Sequence, residues 1–178
     1  MKKLEASYLS SVHKESSLQQ ISEVLDKLEK NSIEMVPWPV FSYKPEALFA
    51  IAYNDDGILI KYFVREKSIR AMYHRANEPV YKDSCVEFFI SFDGEDEYYN
   101  FEFNCIGACL LGFGTGKSGR ALLPEELIRK IRHLALIKNS NDSGIFMADW
   151  ELTLMIPLEV FSYHQINSLK GRQSKVNF

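Results

Sequence analysis

The chain has 178 residues, 46% of them hydrophobic and 13% aromatic, enough for one sizeable core and too few to favour two. Its 21 basic and 24 acidic side chains leave a net charge of -3 with no basic stripe, which argues against a nucleic-acid partner. No segment reaches membrane-spanning length, so no membrane partner is expected. The opening MKKLEASYLSSVHKESS lacks the apolar run of a signal peptide, and the expected location is the cytoplasm unless a leader has been removed.

Ser17 and Gln20 have capping-box spacing, and Leu18, Ile21, Leu25 and Leu28 recur at helical intervals. They predict a helix from about Ser17 to Glu29, covering one edge or end of a sheet. Residues 1–36 then form an N-terminal helical extension, and residues 37–178 form the domain proper. Trp38, held between Pro37 and Pro39, is expected to plug one end of it.

From Ala47 to Tyr53 and from Ile58 to Val64 the chain is rich in β-branched and aromatic residues, with Asn54-Asp55-Asp56-Gly57 between them, a hairpin signal. Ile69, Ala71 and Tyr73 alternate with Ser68, Arg70 and Met72 and suggest a third strand. Ser84 to Phe92 and Tyr98 to Cys105 are two strong strands joined by the acidic turn Asp93 to Glu97. The glycine-rich stretch Gly107 to Gly119 reads as a flexible hairpin loop, and Pro124, Glu125 and Glu126 open a short helix near 124–131. His133 to Lys138 and Ile145 to Ile156 flank the turn cluster Asn139 to Gly144, and Pro157 ends the second strand. Many short strands joined by turns predict an all-β antiparallel sandwich, jelly-roll or immunoglobulin-like, carrying two small helices.

Within this frame Val86, Phe88, Ile90 and Phe92 share one face of their strand, as do Tyr99, Phe101 and Phe103 of the next, and these faces are core. Trp150 alternates in phase with Leu152, Leu154 and Ile156 and joins them. If the two strands are neighbours, Glu87, Glu102 and Asn104 converge on the opposite face, with Tyr81 at the strand entrance and Arg70 on an adjacent strand. Carboxylates and amides beside an aromatic ring suit a sugar, whose hydroxyls exchange hydrogen bonds and whose C–H faces stack on rings. A solvated sheet face would produce the same alternation.

The order Tyr81, Lys82-Asp83-Ser84-Cys85-Val86-Glu87-Phe88-Phe89-Ile90, acidic turn, Tyr99-Asn100-Phe101-Glu102-Phe103-Asn104 and Gly107, then Trp150-Glu151-Leu152 to Ile156-Pro157, resembles the family 9 carbohydrate-binding modules and their DOMON-like relatives, from about Trp38 onward. The resemblance implies a jelly-roll-like sandwich that stacks the end of a sugar chain between aromatic side chains, without catalysis, in polysaccharide utilisation. It implies Tyr81 as the first stacking ring, Glu87 as a hydrogen-bonding glutamate and Asn104 as a sugar-contacting asparagine. Glu102 stands where better-known members carry an arginine. The second stacking ring of such modules lies beyond a strand that Ser174 to Phe178 begins, so the last strands are expected to be missing. A one-walled site and a sheet edge open to self-association would follow.

Other chemistries fit less well. Gly114-Thr115-Gly116-Lys117-Ser118-Gly119 satisfies GxGxxG, but Leu111 stands where a phosphate loop needs glycine, and Pro124 postpones the helix. Glu87 and Glu102 could form a glycosidase pair, in a catalytic or hydrolase-associated domain. A protein-interaction sandwich with a decayed sugar site is the remaining alternative. His13, His74, His133 and His164 share no ligand spacing, and no cofactor is expected. A structural calcium at Asp93 to Glu97 competes with the plainer reading of a solvated acidic turn. Cys85, Cys105 and Cys109 form no CxxC pair and read as buried free thiols.

Overall fold

The computed structural model describes residues 3–35, 43–142 and 145–178. Trp38 lies outside the described residues. Strand β1 (Ser7–Tyr8), helix α1 (Leu18–Leu25) and strand β2 (Asn31–Ser32) precede β3 (Glu46–Tyr53) and β4 (Gly57–Glu66). Then come β5 (Cys85–Phe92), β6 (Tyr98–Asn104), β7 (Cys109–Gly114), β8 (Ala121–Leu122), helix α2 (Glu125–Ile128), β9 (Arg132–Asp142), β10 (Ile145–Pro157) and β11 (Ser174–Asn177).

They form two sheets. The first has the order β1-β3-β4-β10-β9, with β2 also pairing β3, and the second the order β11-β5-β6-β7-β8. All pairings are antiparallel except β1 with β3. The alternation in the sequence sets the inner faces. Ile58, Ile60, Tyr62 and Val64 of β4 and Trp150, Leu152, Leu154 and Ile156 of β10 meet Val86, Phe88, Ile90, Phe92, Tyr99, Phe101 and Phe103 from the other sheet. Each fully buried Phe or Leu here contributes on the order of 2 kcal/mol by area removed from water. Tyr62 spans the layers and donates its hydroxyl to the backbone carbonyl of Glu87 at 3.0 Å. The Phe178 ring stacks on Phe49 at 3.6 Å between centroids and also touches Phe88.

Ser17 caps α1 with a reciprocal box: its hydroxyl accepts from Gln20 N at 3.2 Å, and Gln20 Oε1 accepts from Ser17 N at 2.9 Å. The helix ends at Leu25, earlier than the periodicity predicts, because Lys27 and Leu28 donate to the residue three back and tighten the chain into turns. It lies against β4, β10, β9 and β3, on the outer face of the first sheet and not at its edge. Ile21 and Leu25 seal a small second core there with Val12, Ala52, Leu59 and Met155.

Two further expectations are corrected. Residues 69–73 are not a strand, because their backbone donors are taken by side chains: Arg70 N donates to Ser84 Oγ, and Met72 N and Tyr73 N to Asp83 Oδ2. The Gly107 to Gly119 stretch is not wholly loop, since Cys109–Gly114 is strand β7, with Cys109, Leu111 and Phe113 facing the core. At Gly112 a Cβ would lie 3.3 Å from two Arg120 side-chain carbons, so the bare backbone there leaves room for Arg120 to pack closely.

Candidate functional site

The outer face of the second sheet is organised by the β5–β6 register, which sets Glu87 directly opposite Glu102 and Cys85 opposite Asn104. Glu87 and Asn104 therefore lie on one side of the sheet, one pair apart, with Asn100 next along β6 on the same side. Beside them a 3-10 turn at Val80–Lys82 packs on β5 and β6. Val80 is its buried foot, and the Tyr81 ring stands 54% exposed.

Asp83 holds that turn in place. Its Oδ2 accepts from Met72 N at 2.9 Å, Tyr73 N at 3.0 Å and Asn104 Nδ2 at 3.0 Å, and Arg70 Nε lies 3.4 Å from its Oδ1. Burial would raise the Asp83 carboxyl, but the hydrogen bonds from Tyr73, Asn104 and Met72 and the Arg70 charge outweigh it and hold the pKa below the ordinary value. Asn104, fully buried, gives its other N–H to Tyr73 O and accepts from Ala108 N with Oδ1. Every polar atom of Asn104 is thus occupied in tying the Arg70–Ser84 loop to the β6–β7 turn. Arg70 sits on that loop and not on a strand.

The carboxylates are placed differently. Asn100 Nδ2 donates to Glu102 Oε1 at 2.7 Å. Both residues are enclosed, and Glu102 Oε2 and Asn100 Oδ1 find no donor among the described residues. Burial and the charge of Glu102 raise the Glu87 pKa, while Arg120 and Lys117 pull it down without cancelling the rise. Arg120 lies over the rings of Tyr98 and Phe89, donating to Gly116 O at 3.1 Å and Tyr98 Oη at 3.0 Å. The sequence pointed to Glu87, Glu102 and Tyr81. Alternation put Asn100 in the same row as Glu102, and Phe89 on the face with Glu87, without giving either a role, and it gave no sign of Arg120, which the β7–β8 hairpin brings over the Tyr98 and Phe89 rings.

Two cavities, of about 400 and 430 Å³, lie elsewhere: one between the N-terminal segment and α1, the other at the end of the sandwich near Gly107, Ile128 and His133. A ring stacked on an exposed aromatic needs an open face more than an enclosed cavity, so neither competes with the β5–β6 face. The acidic turn is engaged within the protein, Asp93 with Arg172 at 2.8 Å and Glu95 with His164 at 3.0 Å. Among the described residues no group of three or more His, Cys, Asp or Glu could hold a metal ion. Cys85, Cys105 and Cys109 are free thiols whose pKa values burial pushes up.

The model of the family described as carbohydrate-binding family 9 matches residues 18–178. No curated protein matches the chain. Among solved structures, a proposed carbohydrate-binding protein from Bacteroides uniformis is 31% identical with a TM-score of 0.85, over 97% of this chain and 80% of that one. A family 9 carbohydrate-binding module from Caldicellulosiruptor kristjanssonii in complex with cellotriose is 12% identical with a TM-score of 0.43, over 83% of this chain and 65% of that one. A family 9 module from the same organism in complex with glucose is 12% identical with a TM-score of 0.44, over 85% and 69%.

Proposed function

Because the chain belongs to carbohydrate-binding family 9, we propose that it holds a ring of a mono- or oligosaccharide against the outer face of the β5–β6 pair, without catalysis, as part of polysaccharide utilisation. Tyr81 stacks on the apolar face of the sugar. Glu87 and Glu102 accept hydrogen bonds from its hydroxyls. Asn104 serves the site from beneath and the exposed Arg70 from the surface, both by fixing the loop that carries Tyr81 through Asp83.

One observation carries this reading: two glutamates directly opposite one another on neighbouring strands, beside a buttressed turn that displays an exposed tyrosine ring. A merely solvated sheet face would spread such groups without a buried clasp to hold one ring in position. The test is a glycan array, followed by calorimetry on the sugar that binds best. Tyr81→Ala and Glu87→Gln are each expected to weaken binding by about ten-fold or more, ~1.4 kcal/mol, with the fold intact. Wild-type affinity in both variants, or no glycan bound at all, overturns the reading. Release of sugar product from a bound oligosaccharide would instead make Glu87 and Glu102 a glycosidase pair.

A further inference from the structure

The outer face of β5–β6 is unbalanced in its hydrogen-bonding chemistry. An ionised carboxylate only accepts, and the oxygen of an amide only accepts. Here Glu87 and Glu102 are paired across the strands, and the charge of Glu102 is felt at the Glu87 carboxyl. Asn100, 1% exposed, spends an amide N–H on Glu102 Oε1 and keeps an Oδ1 that receives nothing. Glu102, 8% exposed, likewise keeps an unserved Oε2. Buried acceptors are nearly always paired in folded proteins, and leaving one unpaired is costly.

The nearest cations do not remove the deficit. Arg120 and Lys117 act on the Glu87 carboxyl through their charge. The hydrogen bonds of Arg120 go to Gly116 O and Tyr98 Oη, and Glu102 Oε2 receives none of them.

We infer that Glu102 and Asn100 set the specificity of this site, selecting a sugar ring that presents hydrogen-bond donors, with an unsubstituted amino sugar held more tightly than its neutral counterpart and a uronic acid rejected. The inference rests on the sugar-binding reading and names the sugar class for the same face. An ammonium offers three donors and a positive charge to two carboxylates and an amide oxygen. A uronate brings a third carboxylate beside Glu87 and Glu102, where the Arg120 hydrogen bonds already go to Gly116 O and Tyr98 Oη, and this like charge is the repulsive element that specificity requires.

Calorimetry at near-neutral pH with glucose, glucosamine and glucuronic acid, and with the matching galactose, galactosamine and galacturonic acid, tests this. In the series that binds, the amino sugar is expected to bind several-fold more tightly than the neutral sugar, and the uronic acid about ten-fold or more weakly. The advantage of the amine should shrink in Glu102→Gln and as the pH rises through the ammonium pKa. Equal binding of the neutral and acidic sugars, or an amine advantage that survives Glu102→Gln, overturns the inference and leaves the sugar-binding reading standing. Binding by none of the six sugars overturns the inference whatever the array shows. A thermal melt of Glu102→Gln in parallel establishes that the variant folds.

Discussion

The outer faces of the two sheets each carry a buried charged side chain, and they treat it in opposite ways. On the first sheet Lys61, 2% exposed, lies under α1 with its ammonium 2.6 Å from Asp26, 2.9 Å from Glu151 and 2.8 Å from Ser22 Oγ. Its three donors have three acceptors, one strand and one helix supply them, and the result is a rivet that fixes α1 to β4. On the second sheet Glu102 is buried with one oxygen served and the other bare. A satisfied buried charge is complete without a ligand. An unsatisfied one is a place where the fold has left a term for another molecule to supply, which is how functional sites differ from structural ones with the same composition.

The largest effect is expected at Lys61. Lys61→Met keeps much of the side-chain volume but leaves Asp26 and Glu151 without their cation, and the expected loss is about 3 kcal/mol in urea unfolding, the low end for a broken buried pair because both acids keep contact with water. Sugar affinity of the folded variant should not change. If it falls, the two faces are coupled and the division between them is wrong.

Asp83 stands between the two cases: its Oδ2 accepts three hydrogen bonds, while its buried Oδ1 accepts none and has only the Arg70 charge beside it. Asp83→Ala leaves two backbone N–H groups and the Asn104 amide without their acceptor, at an expected cost of about 2 kcal/mol. Its folded pKa is depressed, so its contribution is present above the unfolded carboxyl value of about 3.9 and is lost as the pH falls through the lower folded value. Amide exchange should show Met72 and Tyr73 opening first in acid, ahead of the β5 and β6 amides, and simultaneous opening would deny the clasp a separate role.

The sequence made the parity of these strands legible and left their surroundings hidden. Alternation in Val86 to Phe92 and Tyr99 to Phe103 correctly put the aromatic residues inside and Glu87, Glu102 and Asn104 on the other face. It could not tell that Asn104 would be closed over by the Arg70–Ser84 loop, because that depends on a fold-back from Asp83, 21 residues away in sequence. The same fold-back explains the strand expected at residues 69–73, where alternation was real but the donors went to Ser84 and Asp83. Strand β7 was hidden for the opposite reason: its outward positions include Gly112 and Gly114, which read as loop until Arg120 is seen lying against them. Lys61 gave no signal at all, since a lysine in a strand reads as solvated until a helix is known to cover it.

On the unsatisfied face, removing charge should help the empty protein. Glu102→Gln replaces a bare buried carboxylate oxygen with a neutral amide while keeping an acceptor for Asn100, and a gain of about 0.5 kcal/mol without ligand is expected, with sugar selectivity lost. A stability loss would mean that Glu102 is satisfied by a donor after all.

The smallest effect expected is the pH dependence at Glu87, and it has the opposite sign to that of Asp83. Burial and the Glu102 charge raise the Glu87 pKa, so the folded state binds this proton more tightly than the unfolded chain does. Stability from this group is then fully present below the ordinary glutamate value of about 4.3 and is lost as the pH rises through the raised folded value. Glu87→Gln, which cannot ionise, should therefore raise the melting temperature slightly at neutral pH and leave it unchanged in acid. A melting curve for the variant that runs parallel to wild type across that window would show that Glu87 and Glu102 do not feel each other's charge, and the opposed pair would lose its claim to be a site.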